Sequence, residues 1–227
     1  MGSAITEVVP IAFGMVLANP FPVLAVIMLL FSPRGTTTAL AFLIGWVAGL
    51  VVALVLLLYV VPTERFVGDS EDPSTLASVI RFSLGLLLLG LAAKQWGSRP
   101  QTGETATLPG WITSLEEASA AAALGIGAAL AGINPKNLAF TVAAAVVIAQ
   151  AHLTTGATAV VILSFVLLGS LGVMVPVLWQ VVQQERARAT LMEWRNWLEV
   201  NYHTVTAVVF ILFGIILASQ GAHALVR

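Results

Sequence analysis

The stretch 132-GINPKNLAFT-141 sets two asparagines, a proline and a lysine inside an otherwise apolar run. Proline in a helix interior deletes a backbone hydrogen bond and clashes with the preceding turn, at about 3 kcal/mol. The residue before it is pushed out of the helical region. A helix passing through this stretch is therefore expected to break at Asn134-Pro135. The same dipeptide occurs at Asn19-Pro20, 115 positions earlier, inside GMVLANPFPVLAVIMLL (14–30).

The surroundings place both breaks in a bilayer. The 227 residues are 59% hydrophobic and 9% charged, with a mean hydropathy of +0.97. A spanning helix needs about 20 mostly apolar residues, and six segments qualify: roughly 5–30, 36–61, 75–96, 118–149, 156–181 and 203–221. The connections are short, the longest being about 97–117 and 182–202, so one integral-membrane domain with no appended enzyme is expected. The N-terminus MGSAITEVVP has no basic region and carries Glu7, which argues against a cleavable signal peptide. MGSAIT fits the loose N-myristoylation pattern, a match that arises easily by chance.

Composition also excludes functions. With no cysteine there is no disulfide, thiolate metal site or cysteine nucleophile. A formal net charge of −1 argues against nucleic acid, which needs a basic face. No aspartate or glutamate sits mid-span, so a carboxylate proton relay or an acidic sodium site has no support. His152, His203 and His223 show no metal-ligand spacing. No nucleophile–base pair points to an enzyme, and nothing calls for a cofactor.

Lysine and arginine set the orientation. Arg34, Lys94, Arg99, Arg186, Arg188 and Arg195 fall in the first, third and fifth connections, against Arg65, Arg81 and Arg227 on the other side. Both termini are expected outside the cytoplasm, and the net acidic connection TERFVGDSEDPS (63–74) suits an external loop.

A matched pair of breaks points to duplication. The third members of the two sets agree, LLLLGLAA (86–93) and FILFGIILA (210–218) each placing a glycine in an aliphatic run. Residues 1–96 and 118–227 then form two three-helix repeats joined by the linker 97–117. Three being odd, the second repeat enters the membrane from the opposite side. This is the inverted plan of many secondary transporters, whose sites lie near the midplane at broken helices. Two independent proline kinks are the plainer alternative.

The other helices read as packing scaffold. Gly45 and Gly49 in GWVAG, and the small residues of ASAAAALGIGAALAG (118–132), are expected to bring helices close. Leu191, Trp194, Trp197 and Leu198 share one helical face of the connection before the last span, which reads as a separate amphipathic helix in the headgroup layer.

At the breaks, asparagine suits helix capping, the plain reading for Asn19, Asn134 and Asn137. Lys136 is harder to explain as structure. A lysine at membrane centre costs roughly 2.5–3.5 kcal/mol, and here it adds to the positive end of a helix. Together they would receive a carboxylate, sulfate or phosphate. The plainer alternatives are pairing with the carbonyl ends of the opposite broken helix or snorkelling to a surface.

The stretches ANPFPVLAVIMLLFSPRG (18–35), FLIGWVAGL (42–50), INPKNLAFTVAAAVVIAQA (133–151) and WLEVNYHTVTAVVFILFGIILASQG (197–221) resemble the GAP-type membrane proteins of actinobacteria. That group includes glycopeptidolipid- and sulfolipid-addressing proteins and lies within the LysE-like exporter superfamily. The resemblance implies a six-helix protein of the cytoplasmic membrane that helps move a cell-envelope glycolipid outward. By motif match, Asn19, Pro20, Pro22, Asn134, Pro135, Lys136 and Asn137 would line its central site. Pro22 falls opposite Asn137 across the repeat, so the halves are chemically unequal. Two other functions stay open: export of a small polar solute such as an amino acid, and a non-transporting scaffold for a larger lipid-export machine. Expected partners are the lipid or small-molecule substrate and membrane lipids, with a second copy of the chain or export machinery as open partners.

Overall fold

The computed structural model describes residues 1–60, 75–99 and 114–226; the acidic connection 63–74 and most of the 97–117 linker lie outside the described residues. Among the described residues there are nine α-helices and two short 3-10 turns. In chain order the helices are α1 (Gly2–Ala18), α2 (Phe21–Phe31), α3 (Gly35–Val60), α4 (Thr75–Gly97), α5 (Ala120–Gly132), α6 (Pro135–Gln150), α7 (Thr155–Gly169), α8 (Leu171–Gln183) and α9 (Ala187–Val226).

Both Asn-Pro dipeptides bend the chain as the sequence indicates. The α1–α2 pair turns by 59° and the α5–α6 pair by 56°. Helices α3 (Gly35–Tyr59) and α9 (Ala187–His223) are long and apolar enough to cross a membrane, and the bent pairs bring the number to as many as five. The segment expected to span at 75–96 forms the 23-residue helix α4, which is not among these five candidate spans.

The 156–181 segment, read as one span, is a bent pair: α7 and α8 meet at 66° around Ser170. The Ser170 N–H bonds back to the Val166 and Leu167 carbonyls at 3.0 and 3.2 Å, closing α7 in a tighter turn. Small residues on both sides let the bent pair close on α1 and α2. A Cβ at Gly169 would strike Met15, and one at Gly172 would press on Val16 and Val23 at 3.0 and 3.1 Å.

The separate interfacial helix is likewise corrected. Residues 187–202 run without interruption into the last span, giving a 40-residue α9 about 60 Å long. No glycine or proline occurs between Ala187 and Phe213, so the fall in hydropathy there ends the apolar run without ending the helix. Leu191 is buried, Trp194 packs on Trp179 with ring centroids 6.3 Å apart, and Trp197 is 56% exposed.

The expected close approach at Gly45 and Gly49 is present. A Cβ on Gly45 would collide with the Leu124 carbonyl, one on Gly49 with Ala128 at 2.5 Å, and one on Gly127 with the Phe42 carbonyl. Thus α3 and α5 lie backbone to backbone, where dispersion and not solvent exclusion holds helices together. Helices α4 and α9 pair the same way, through Gly85 against Ala218, Gly221 against Phe82, and Gly214 against Leu89. Gly90, the matched glycine in α4, meets nothing within 4 Å; Gly85 supplies the contact instead.

Candidate functional site

A break leaves unpaired N–H groups at the start of one half and unpaired carbonyls at the end of the other. At the second break, Asn134 caps α6 as expected, its Oδ1 accepting the Lys136 backbone N–H at 3.0 Å. Pro135 takes the first helical position, where a missing N–H costs nothing. Asn137 acts differently from the capping expected of it: its Nδ2 donates to the Leu130 carbonyl at 2.8 Å, satisfying the open end of α5. Thr141 donates in turn to the Asn137 carbonyl at 2.8 Å.

At the first break, Asn19 caps nothing. The α2 N-cap is Pro20, with no side-chain cap bond, and Pro22 lies in the first turn, removing one orphan donor. The Asn19 side chain instead crosses the bundle, its Nδ2 donating to Asn137 Oδ1 at 3.1 Å. Both side chains are buried. Residues 118 positions apart therefore meet in one bond, and Asn137 stitches the ends of α1 and α5 to the start of α6. A buried amide pair of this kind stabilises by about 1 kcal/mol net, but removing one partner costs more, because the other stays buried and unsatisfied.

Lys136 stands one turn position away and is half-buried. Its Nζ lies 3.4 Å from the Tyr202 hydroxyl, 5.1 Å from the Phe210 ring centre, 5.8 Å from that of Tyr202 and 6.0 Å from that of Phe21. Phe21 and Tyr202 are themselves packed with ring centroids 4.2 Å apart. Three aromatic faces surround the ammonium, an arrangement that attracts a cation through the ring quadrupoles. Among the described residues the ion pair Arg195–Glu199 is formed at 2.8 Å, and none reaches Lys136. Two of its three N–H donors remain available beside the positive N-terminus of α6.

Of the seven residues singled out in the sequence, Asn19 and Asn137 are bonded. Asn134 and Lys136 sit on the first turn of α6. Pro20 and Pro22 are buried at the start of α2, while Pro135 is exposed. Phe21, Tyr202 and Phe210 were not legible as neighbours of Lys136. The one available signal was that Phe21 follows Asn19-Pro20 just as Lys136 follows Asn134-Pro135. His203, next to Tyr202, is held through Nδ1 by Gln95 Oε1 at 2.8 Å, which anchors the α9 side of the cage to α4. Among the described residues no three His, Cys, Asp or Glu side chains gather into a metal-holding group.

No curated protein and no solved structure matches the chain. The profile of one family, described as Sap, sulfolipid-1-addressing protein, matches residues 8–223, which takes in both breaks, the stitched asparagines and the aromatic enclosure of Lys136. With nearly its whole length so matched, the chain belongs to the sulfolipid-1-addressing protein family.

Proposed function

We propose that this protein exports a cell-envelope lipid or related amphipathic molecule across the cytoplasmic membrane, receiving an anionic or polar headgroup at Lys136 between the two broken helices. The observation that carries the reading is the meeting of the breaks. Asn19 bonds Asn137, and beside them lies an ammonium without a carboxylate partner among the described residues. A half-buried cation left without a counter-charge is costly, and an arriving anion would lower that cost. The family description, a protein that addresses sulfolipid-1, supports a lipid load.

The reading includes six spans in two inverted repeats, 1–96 and 118–227, with both termini extracytoplasmic, on the plan of LysE-like exporters. Packing supports it. Under a two-fold relation the third helices α4 and α9 should pair with each other, as they do, and the α3–α5 contact should be mirrored by α7 against α1, as it is.

The test compares cells with and without the gene, separating surface-extractable lipid from total lipid. A lipid made normally but missing from the surface is expected, restored by wild-type protein and not by Lys136→Glu. If Lys136→Gln and Lys136→Glu both export fully, the headgroup role of Lys136 falls. Unchanged surface lipid with a polar solute accumulating inside would select a small-solute exporter. The scaffold reading draws on exposed Trp197 and Val200 on α9; it predicts that Trp197→Glu abolishes function while Lys136 variants keep it.

A further inference from the structure

The hydrogen bonds at the breaks fix which way each amide points. The Leu130 carbonyl can only accept, so Asn137 must turn its Nδ2 toward it and its Oδ1 toward Asn19. Asn19 must then present its Nδ2 to Asn137, which aims its own Oδ1 the other way. That oxygen is buried and has no partner.

Asn19 also lines a small cavity, together with Met15, Pro22, Trp46, Gly169 and Gly172 among others. It joins the first break to the bend at Ser170 and to α3. Trp46 is 3% exposed, and its Nε1, a donor that can do nothing but donate, is also unpartnered. A residue with an orphan acceptor and a residue with an orphan donor thus line one space, whose room for the centre of a water molecule is about 10 Å³, close to what one water occupies. Ser170, directly after Gly169, has a third buried and unpartnered hydroxyl.

We propose that this cavity is a binding site for one resident water, which accepts from Trp46 Nε1 and donates to Asn19 Oδ1. The chemistry selects the occupant. A metal or organic cation would meet the Trp46 N–H head on, an anion would meet the Asn19 carbonyl oxygen, and a group larger than one oxygen does not fit. Water satisfies both atoms and carries a second proton for a further acceptor. The hydrogen-bond line Leu130–Asn137–Asn19 then continues through the water to Trp46, tying both Asn-Pro breaks to α3 beside the third bend. Backbone and side-chain groups freed at broken membrane helices are commonly satisfied in this way. The inference is independent of what the protein exports.

The test is radiolytic hydroxyl-radical footprinting of the full chain in nanodiscs, read by mass spectrometry. X-rays split water where it sits, so a buried side chain beside a bound water is oxidised. Met15 lines the cavity and Met28 does not, yet each is 1% exposed, so one is the internal control for the other. The expected result is Met15 oxidised several-fold faster than Met28 under X-rays, with Met15 as protected as Met28 when radicals are generated chemically in bulk solvent. Trp46→Phe, which keeps the ring and deletes the donor, is expected to lower Met15 oxidation toward the Met28 rate. Equal Met15 and Met28 rates in the wild-type protein under X-rays would overturn the site, as would equal Met15 oxidation by both radical sources. Unchanged Met15 oxidation in Trp46→Phe would overturn the role of Trp46. The wild-type comparison decides even if the variant fails to fold.

Discussion

Asn19-Pro20 and Asn134-Pro135 bend two helix pairs by nearly the same angle, 59° and 56°, yet they do so with different chemistry. The second break is self-contained. Asn134 caps the new helix and Asn137 catches the loose end of the old one, both within eight residues of chain. The first break has proline at 22 where the second has asparagine at 137, so it has no side chain to catch its own loose end. Its asparagine is spent on a partner in the other pair. The same dipeptide can therefore be a local cap or a long-range tie, and the residue three positions after Asn decides which. Phe21 against Lys136 adds a second inequality, an aromatic face on one side and the ammonium it surrounds on the other.

Substitutions at four positions test this contrast, read as the midpoint and free energy of unfolding in mixed micelles. The largest loss is expected for Asn137→Leu, which strands both the Leu130 carbonyl and the Asn19 amide; at about 1–3 kcal/mol for each buried unsatisfied group, the cost is about 2–6 kcal/mol. Asn19→Ala strands only Asn137 Oδ1 and should cost about 1–3 kcal/mol, and it should be strongly non-additive with Asn137→Ala. Asn134→Ala removes a cap and should cost about 1 kcal/mol, additively with Asn19→Ala. Additivity for Asn19 with Asn137, or coupling for Asn19 with Asn134, would break the distinction between tie and cap. The smallest effect belongs to Tyr202→Phe, which loses a long hydrogen bond to Lys136 but keeps the aromatic face, so less than about 1 kcal/mol is expected.

Much of the architecture was legible because hydrocarbon permits few solutions: long apolar runs become helices, and the Asn-Pro pairs mark bends. Proline alone is not the mark. Pro10 and Pro176 lie inside α1 and α8 without ending them, whereas the sharpest of the bends, at Ser170, has no proline at the turn. There the cause is contact, glycines at 169 and 172 seating on Met15, Val16 and Val23, and contact between distant residues leaves no trace in a local pattern. The candidate site divides the same way. Lys136 was conspicuous as a charge in an apolar run, while Tyr202 and Phe210 look like ordinary interfacial and core aromatics until α9 is placed against α6. The continuity of α9 was hidden because hydropathy reports the solvent around a helix and not its hydrogen bonding.

That continuity has a mechanical consequence. A 40-residue helix is about twice as long as the hydrocarbon core is thick, and between Ala187 and Phe213 it has no glycine or proline at which to flex. Tyr202 and Phe210, the faces that hold Lys136, sit near the middle of this rod, and Gly214 and Gly221 fasten its far end to α4. His203, held by Gln95 at 2.8 Å, fastens the rod to α4 a second time near its middle. Helix α9 thus joins the faces around the ammonium, in one uninterrupted rod, to the distant tip where Arg188 lies over Phe31.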